Sequence, residues 1–324
     1  MSAPVDASEQ YSLRSLRREW LVFVLASALF ILGGFLVLRK AWPVAPALGW
    51  LAVAITLLVY HYIYLWRHLD DNRLKGVPCA PLFPNLGLGN DLTITRAVLT
   101  AALAGFLMGP RPEGWLAWAP GLLYLASAGI DYLDGYAARV THRTTILGET
   151  LDMKWDSEAL LAAAALSVRY GQTPIPFVLV GLARYLYVFG IWVREKRGLP
   201  VYPLPPSRFR RALAGMQMGF AGVVLLPVFE PPATWVAAWL FMVPFLIPFA
   251  YDFLAVSGWV QRRGFTLAGF GPRLRAGLTL ALRMLLAAQL VHLALFHIGP
   301  DSRQYPLAGT FLVVAALATP ALLL

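Results

Sequence analysis

The chain has 324 residues, of which 59% are hydrophobic and only 14% are charged, whereas soluble domains carry about 25% charged residues. A sequence this apolar excludes a single water-soluble core and indicates that the lipid bilayer is its solvent. The net charge of +10 does not indicate nucleic-acid binding, because the basic residues lie between long apolar runs and do not cluster on one soluble surface.

Ten apolar runs are long enough to cross a membrane as helices, since a span needs about 20 mostly apolar residues. None shows the alternation of a membrane β-strand, so the sequence predicts an all-α integral membrane protein. The first run follows three arginines and lacks a small-residue cleavage site, which favours an anchor over a cleavable signal. The predicted spans cover residues 20–38, 44–66, 93–109, 114–135, 146–168, 174–193, 211–229, 233–256, 274–298 and 306–323.

Lysine and arginine are distributed unevenly between the predicted loops. If the N-terminus lies in the cytoplasm, the cytoplasmic loops hold 18 of the 27 basic residues and the outside loops hold five. Because basic residues favour the cytoplasmic side, we expect both termini and the loop after Leu133 to be cytoplasmic. The expected location is a bacterial inner membrane.

Four aspartates lie close to the loop between the fourth and fifth spans. Asp131 and Asp134 are three residues apart, and Asp152 and Asp156 are four apart, so each pair shares one helical face. Residues 140–147 suffice for a tight reversal between two antiparallel helices. The spacing therefore predicts four carboxylates that face each other near the inner membrane surface.

Carboxylates held this close in a partly desolvated site repel each other and need a cation. With no Cys or His among them, their oxygen atoms suit Mg²⁺ or Mn²⁺, and two such ions can flank a phosphoryl group that undergoes displacement. Gly135 and Gly148 lie on the facing surfaces, where the missing side chains would let a flat ligand approach the backbone.

The pattern D-x2-D-G-x2-A-R-x8-G-x3-D-x3-D is complete in this sequence, from Asp131 to Asp156. It resembles the signature of the CDP-alcohol phosphotransferase family. A second stretch, from Asn90 to Arg96, is similar to the N-x-[LI]-[ST]-x-x-R at the start of that family's first core helix. The resemblance implies a six-helix core within residues 67–256, a pair of extra spans in 1–66 and another pair in 257–324.

The resemblance also implies a role for each motif residue. The metal ligands would be Asp131, Asp134, Asp152 and Asp156. Asp156 would in addition act as the general base. The residues that bind the CDP group would be Asn90, Thr93, Gly135, Ala138, Arg139 and Gly148.

Acceptor binding is implied for three arginines. Arg184 lies within the sixth span and resembles a family arginine near the acceptor. Arg210 and Arg211 stand at the Gly and Lys positions of a stretch similar to G-K-x-x-T-x-x-Q, in which Ala214 replaces the Thr. If Arg184 and Arg211 converge, they could clamp a phosphate, which favours a phosphorylated acceptor such as glycerol-3-phosphate or inositol phosphate.

The implied reaction transfers a phosphatidyl group from a CDP-linked donor, CDP-diacylglycerol, to an alcohol with release of CMP. Its implied cofactors are two Mg²⁺ or Mn²⁺ ions, and its implied assembly is a homodimer. A CDP-alcohol donor with diacylglycerol as acceptor stays open, as do serine and choline as acceptors.

Two other functions compete with this reaction. A membrane prenyltransferase would need two separate Asp-rich motifs in different helical bundles, and the chain offers one. A divalent cation transporter would use the carboxylates as an ion site, although transporters tend to place such sites at the bilayer midplane and to contain inverted repeats.

Overall fold

The structure is a computed structural model that describes residues 7–204 and 208–259. These residues form eight α-helices joined by turns and short 3-10 segments. The predicted ninth and tenth spans, 274–298 and 306–323, lie outside the described residues. The helices are α1 (Ala7–Ala41), α2 (Val44–Arg67), α3 (Leu88–Gly105), α4 (Ala119–Val140), α5 (Ile146–Arg169), α6 (Val178–Lys196), α7 (Arg208–Val224) and α8 (Ala233–Val256).

Each of the first eight predicted spans coincides with one of these helices, which confirms the all-helical class. Five of them, α1, α2, α3, α6 and α8, are long and apolar enough to cross a membrane. The others, α4, α5 and α7, carry several charged side chains each. Charged residues in a membrane bundle face its interior or an aqueous cavity. We therefore expect these three helices to be held in the bundle by packing against their neighbours.

The described chain divides into two compact units. Of the described residues, the first unit comprises 7–199 and 208–253, and the second comprises 200–204 and 254–259. In the described part of the second unit, the backbone N–H of Tyr202 donates to the carbonyl of Val256 at 3.0 Å. All residues of the aspartate motif belong to the first unit.

Helix α3 is the buried centre of the first unit. Twelve of its residues are buried, most of them small, because α2, α4 and α5 all pack against it. A Cβ atom on Gly105 would lie 2.7 Å from the ring of Trp50, so α2 and α3 approach as closely as a glycine permits. Close packing through small residues is the usual means of helix association in membranes.

The segment between α2 and α3 fixes the turn between α4 and α5. The N–H of Lys75 donates to the carbonyl of Thr144 at 2.9 Å, and the N–H of Ile146 donates to the carbonyl of Arg73 at 3.0 Å. Thr145 then caps α5, because its hydroxyl accepts a hydrogen bond from the N–H of Gly148 at 3.0 Å. The predicted reversal within residues 140–147 is therefore confirmed. It is held by these two backbone hydrogen bonds and by the Thr145 cap.

Polar contacts join α2 to α5 on the side away from the aspartates. His61 Nε2 lies 2.6 Å from Glu158 Oε2, and the imidazole is only 2% exposed. The ammonium of Lys154 lies 3.6 Å from the ring centre of Tyr64, a cation–π contact. Lys154 is thus directed at α2 and lies on a different helical face from Asp152 and Asp156.

Candidate active site and metal centre

The four motif aspartates converge on a single arginine. Arg96 on α3 places Nη1 2.7 Å from Asp131, 2.9 Å from Asp134 and 2.7 Å from Asp152. Its Nη2 forms an ion pair with Asp156. Two aspartates come from the last turns of α4 and two from the first turns of α5, so the facing arrangement predicted from their spacing is present.

The arginine forms the closed floor of this cluster and the carboxylates form its open side. The Arg96 side chain is 3% exposed, whereas that of Asp152 is 44% exposed and those of Asp131 and Asp156 are about one-third exposed. The protein itself therefore leaves these three carboxylates open to an ion or phosphate on the side opposite the arginine. Fully desolvated acids would have been inaccessible to such a ligand.

The carboxylates divide into a group of three and a separate fourth. Oxygen atoms of Asp131, Asp152 and Asp156 lie within 4.8 Å of one another, and this is the group among the described residues that could hold a metal ion. Asp134 is buried and accepts a hydrogen bond from the hydroxyl of Thr93 at 3.0 Å. An all-oxygen donor set at this spacing fits a hard divalent cation.

The participation of Arg96 was not predicted from the sequence. The residue was visible as a charge inside the third span and as the last position of the N-x-[LI]-[ST]-x-x-R stretch, and a charge inside a span requires a partner. The partners lie 35 to 60 positions further along the chain, so only the packing of α3 against α4 and α5 identifies them.

The side chain of Asn90, at the start of α3, fills the space beside Gly148 at the start of α5. The Asn90 amide donates to Asn72 Oδ1 at 3.1 Å and to the carbonyl of Leu86 at 2.9 Å, and it exchanges hydrogen bonds with the hydroxyl of Thr145. A Cβ on Gly148 would lie 2.5 Å from Asn90 Oδ1. The space that the missing side chain leaves is therefore filled by a buried amide of the protein.

Gly135, Ala138 and Arg139 lie at the inner end of α4 with different surroundings. The three atoms nearest to a Cβ on Gly135 belong to the guanidinium of Arg139, the closest at 3.2 Å, so this side chain folds back along the helix. Ala138 faces α3, since its Cβ lies 3.3 Å from the Cβ position of Gly89. The Arg139 guanidinium thus lies against the surface of α4 at Gly135.

The three arginines predicted for acceptor binding have separate environments. Arg210 on α7 donates to Asp252 on α8 at 2.7 Å, a pair that the sequence did not predict. Arg184 is partly buried in α6, and Arg211 is exposed on α7. The convergence of Arg184 with Arg211 stays a prediction.

Comparison with known protein families aligns residues 86–247, half of the chain, with the family described as CDP-alcohol phosphatidyltransferase. The chain belongs to this family. The matched region runs from just before α3 into α8 and contains the whole carboxylate cluster and Arg96, whereas α1 and α2 precede it. No curated protein and no solved structure matches the chain.

Membership of the CDP-alcohol phosphatidyltransferase family identifies the chain as a transferase of substituted phosphate groups. The apolar helices and this family together identify an integral membrane protein. The family is metal-dependent in general, and the group of Asp131, Asp152 and Asp156 could hold such an ion.

Replacing Gly148 with alanine should destabilise the protein, because the new methyl group would displace Asn90 from its hydrogen bonds with Asn72 and Thr145. A buried amide without partners costs about 1–3 kcal/mol. Gly129→Ala in α4 is the matched control, since a Cβ there meets nothing within 4 Å and alanine is the better helix former. Thermal unfolding in detergent should show a lower midpoint for G148A only; equal midpoints for both variants would contradict the packing described for Asn90.

Proposed function

We propose that the protein transfers a phosphatidyl group from CDP-diacylglycerol to the hydroxyl of a small alcohol, with release of CMP, in phospholipid biosynthesis. The observation that carries the proposal is the convergence of Asp131, Asp152 and Asp156 on one accessible point within a region matched to this family. The donor, the acceptor and the residue roles that follow are parts of the proposal.

The four aspartates would hold two Mg²⁺ ions, and Mn²⁺ could replace them. When bound, the ions would neutralise charge on the pyrophosphate of the donor. Their ligands would be Asp131, Asp134, Asp152 and Asp156. The tether of Asp134 to Thr93 supports a fixed orientation for this ligand, because hydrogen bonds to ligating carboxylates set their direction.

The nucleotide would bind at the inner ends of α4 and α5. The guanidinium of Arg139, which lies against α4 at Gly135, would hold a phosphate of the CDP group. Ala138, Thr93, Asn90 and Gly148 would shape this pocket, the last two through the buried contact that positions the start of α5.

Asp156 would act as the general base. Its carboxylate accepts the proton of the acceptor hydroxyl while that oxygen forms a bond to the β-phosphorus of the donor. The bond between the β-phosphorus and the bridging oxygen then breaks, and CMP leaves with the electron pair. Asp156 is about one-third exposed, which is compatible with contact to an acceptor that arrives from water.

The acceptor would carry a phosphate of its own, bound by Arg184 and Arg211. The ion pair of Arg210 with Asp252 supports separate roles for the two arginines, in which Arg210 joins α7 to α8 and Arg211 binds the acceptor. We also propose that the protein is a homodimer in a bacterial inner membrane, with both termini and the active site cytoplasmic.

The test of the proposal is a panel of acceptors offered to purified protein with CDP-diacylglycerol and Mg²⁺. Release of CMP and formation of a phospholipid, both followed by mass spectrometry, should occur with glycerol-3-phosphate or inositol phosphate. Product formation only from a CDP-alcohol and diacylglycerol would reverse the donor and acceptor. Absence of CMP release in every arm, with Mg²⁺ uptake into proteoliposomes, would replace the enzyme with a transporter.

Asp156→Asn should lower turnover by about 10²- to 10⁴-fold, the usual contribution of a general base. The matched control is Glu149→Gln on the same helix, where the carboxylate pairs with the exposed Lys75 outside the cluster; it should keep turnover near the wild-type value. CMP release measures both. Wild-type turnover in D156N would remove Asp156 from its role as base.

Gly135→Ala should weaken donor binding, because the added methyl group would lie 3.2 Å from the Arg139 guanidinium and displace it from the donor phosphate, whereas the flexible end of this side chain can move with little loss of stability. Overpacking of this kind costs about 1–3 kcal/mol, which corresponds to a KM increase for the donor of roughly five- to 150-fold. Gly129→Ala, on the same helix, should change neither quantity. An unchanged KM in G135A would place the nucleotide elsewhere.

A further inference from the structure

Arg96 occupies a position from which one cation contacts the whole carboxylate cluster. It contacts all four aspartates, including every member of the group of three that could hold a metal ion. A buried arginine with a single carboxylate partner would be an ordinary ion pair. Four carboxylates around one guanidinium leave an excess of three negative charges, which favours binding of a further cation.

The other basic residues near the cluster in sequence are engaged elsewhere. Lys154 lies between Asp152 and Asp156 in the chain, but its ammonium lies over the ring of Tyr64 on α2. Arg139 folds back over Gly135. Among the described residues, Arg96 is therefore the basic side chain in direct contact with all four aspartates, while Arg184 on α6 interacts electrostatically with Asp152.

We propose that Arg96 is an internal counter-ion that competes with the divalent cation for Asp131, Asp152 and Asp156 and thereby sets the metal affinity of the site. The inference rests on the metal centre of the proposed function. The guanidinium and a metal ion cannot both approach the same carboxylate oxygens closely, so metal binding must displace Arg96 from these three or proceed against its charge.

The surroundings of Arg96 suit such a displacement. Among the described residues, its Nε has no hydrogen-bond partner, so the guanidinium is held through its Nη atoms and can turn without breaking a bond at Nε. Asp134 has a second donor in Thr93. Thr93 and Arg96 both donate to Asp134 Oδ2, so this oxygen can keep Arg96 within the cluster when metal binds, while Asp134 Oδ1 and the three more exposed carboxylates serve the ions.

Arginine is suited to this role in a way that lysine is not. Its planar fork presents several N–H donors in fixed directions and therefore reaches carboxylates on two helices at once. A lysine ammonium is a compact charge that could contact fewer of them. Arg96 is thus a positioning residue, since it acts on the carboxylates and through them on the metal.

The experiment compares Mn²⁺ binding to the full-length wild type, Arg96→Gln and Arg96→Lys in detergent, by electron paramagnetic resonance, together with thermal unfolding without and with Mn²⁺. Arg143→Gln is the matched control, because Arg143 is bound to Asn85 and its removal takes one positive charge from the protein without touching the cluster. Asp152→Asn identifies the Mn²⁺ binding that belongs to this site, because loss of this carboxylate should weaken that binding.

Arg96→Gln should bind Mn²⁺ at least about tenfold more tightly than the wild type, since a buried competing charge is gone. Arg96→Lys should fall between the two, and R143Q should match the wild type. Without metal, the midpoint temperature of thermal unfolding should be lower for R96Q than for the wild type, because unpaired carboxylates destabilise the metal-free form. Addition of Mn²⁺ should restore this midpoint.

Wild-type or weaker Mn²⁺ affinity in R96Q would overturn the inference and make Arg96 a structural or substrate-binding group. If R96Q does not fold without metal, the affinity of R96K is decisive, and a value equal to or below that of the wild type overturns the inference. Failure of the wild type itself to bind Mn²⁺ would overturn the proposed metal centre, whereas normal wild-type binding with unchanged variants would overturn the counter-ion alone.

Discussion

The structure depends on one electrostatic constraint: four carboxylates meet at the end of a membrane helix bundle and cannot remain close together without a cation. The described structure meets this constraint with Arg96, which reaches all four from the buried side. A charge placed that deep in an apolar helix is costly on its own. The cost of burying Arg96 is therefore offset by the aspartates, and the repulsion among the aspartates is offset by Arg96.

This pairing in turn dictates the packing of α3. To bring Arg96 between α4 and α5, helix α3 must approach both closely, and its surface consists largely of small buried residues. The contact of Gly89 with Ala138 sets the approach at the inner end. The helices that precede the family region take part as well, because the α2–α3 segment holds the turn before α5 and His61 on α2 pairs with Glu158. The first extra pair of helices is thus continuous with the core that carries the carboxylates.

Hydropathy and spacing predicted the local features of the molecule, because these depend on residues near each other in sequence. Eight predicted spans coincide with helices, and the i, i+3 and i, i+4 spacing placed each aspartate pair on one face. The contacts between distant segments could not be derived in this way. The partners of Arg96, the fit of Asn90 into the space at Gly148 and the pairing of Arg210 with Asp252 all depend on which helices are neighbours, and hydropathy carries no such information.

The position of the cluster also bears on the choice between enzyme and transporter. Asp131 and Asp134 lie in the last three turns of α4, Asp152 and Asp156 in the first three turns of α5, and a short turn joins the helices. An ion pathway along α3 would require polar groups that continue toward the other end of the bundle, whereas the buried residues of α3 beyond Arg96 are apolar apart from Thr100. Arg96 closes the buried side of the cluster, and the carboxylates are partly exposed on the opposite side. The cluster is therefore suited to a ligand that enters and leaves from the same side. A soluble head group that reacts with a membrane-bound lipid requires that arrangement, and an ion in transit across the bilayer does not.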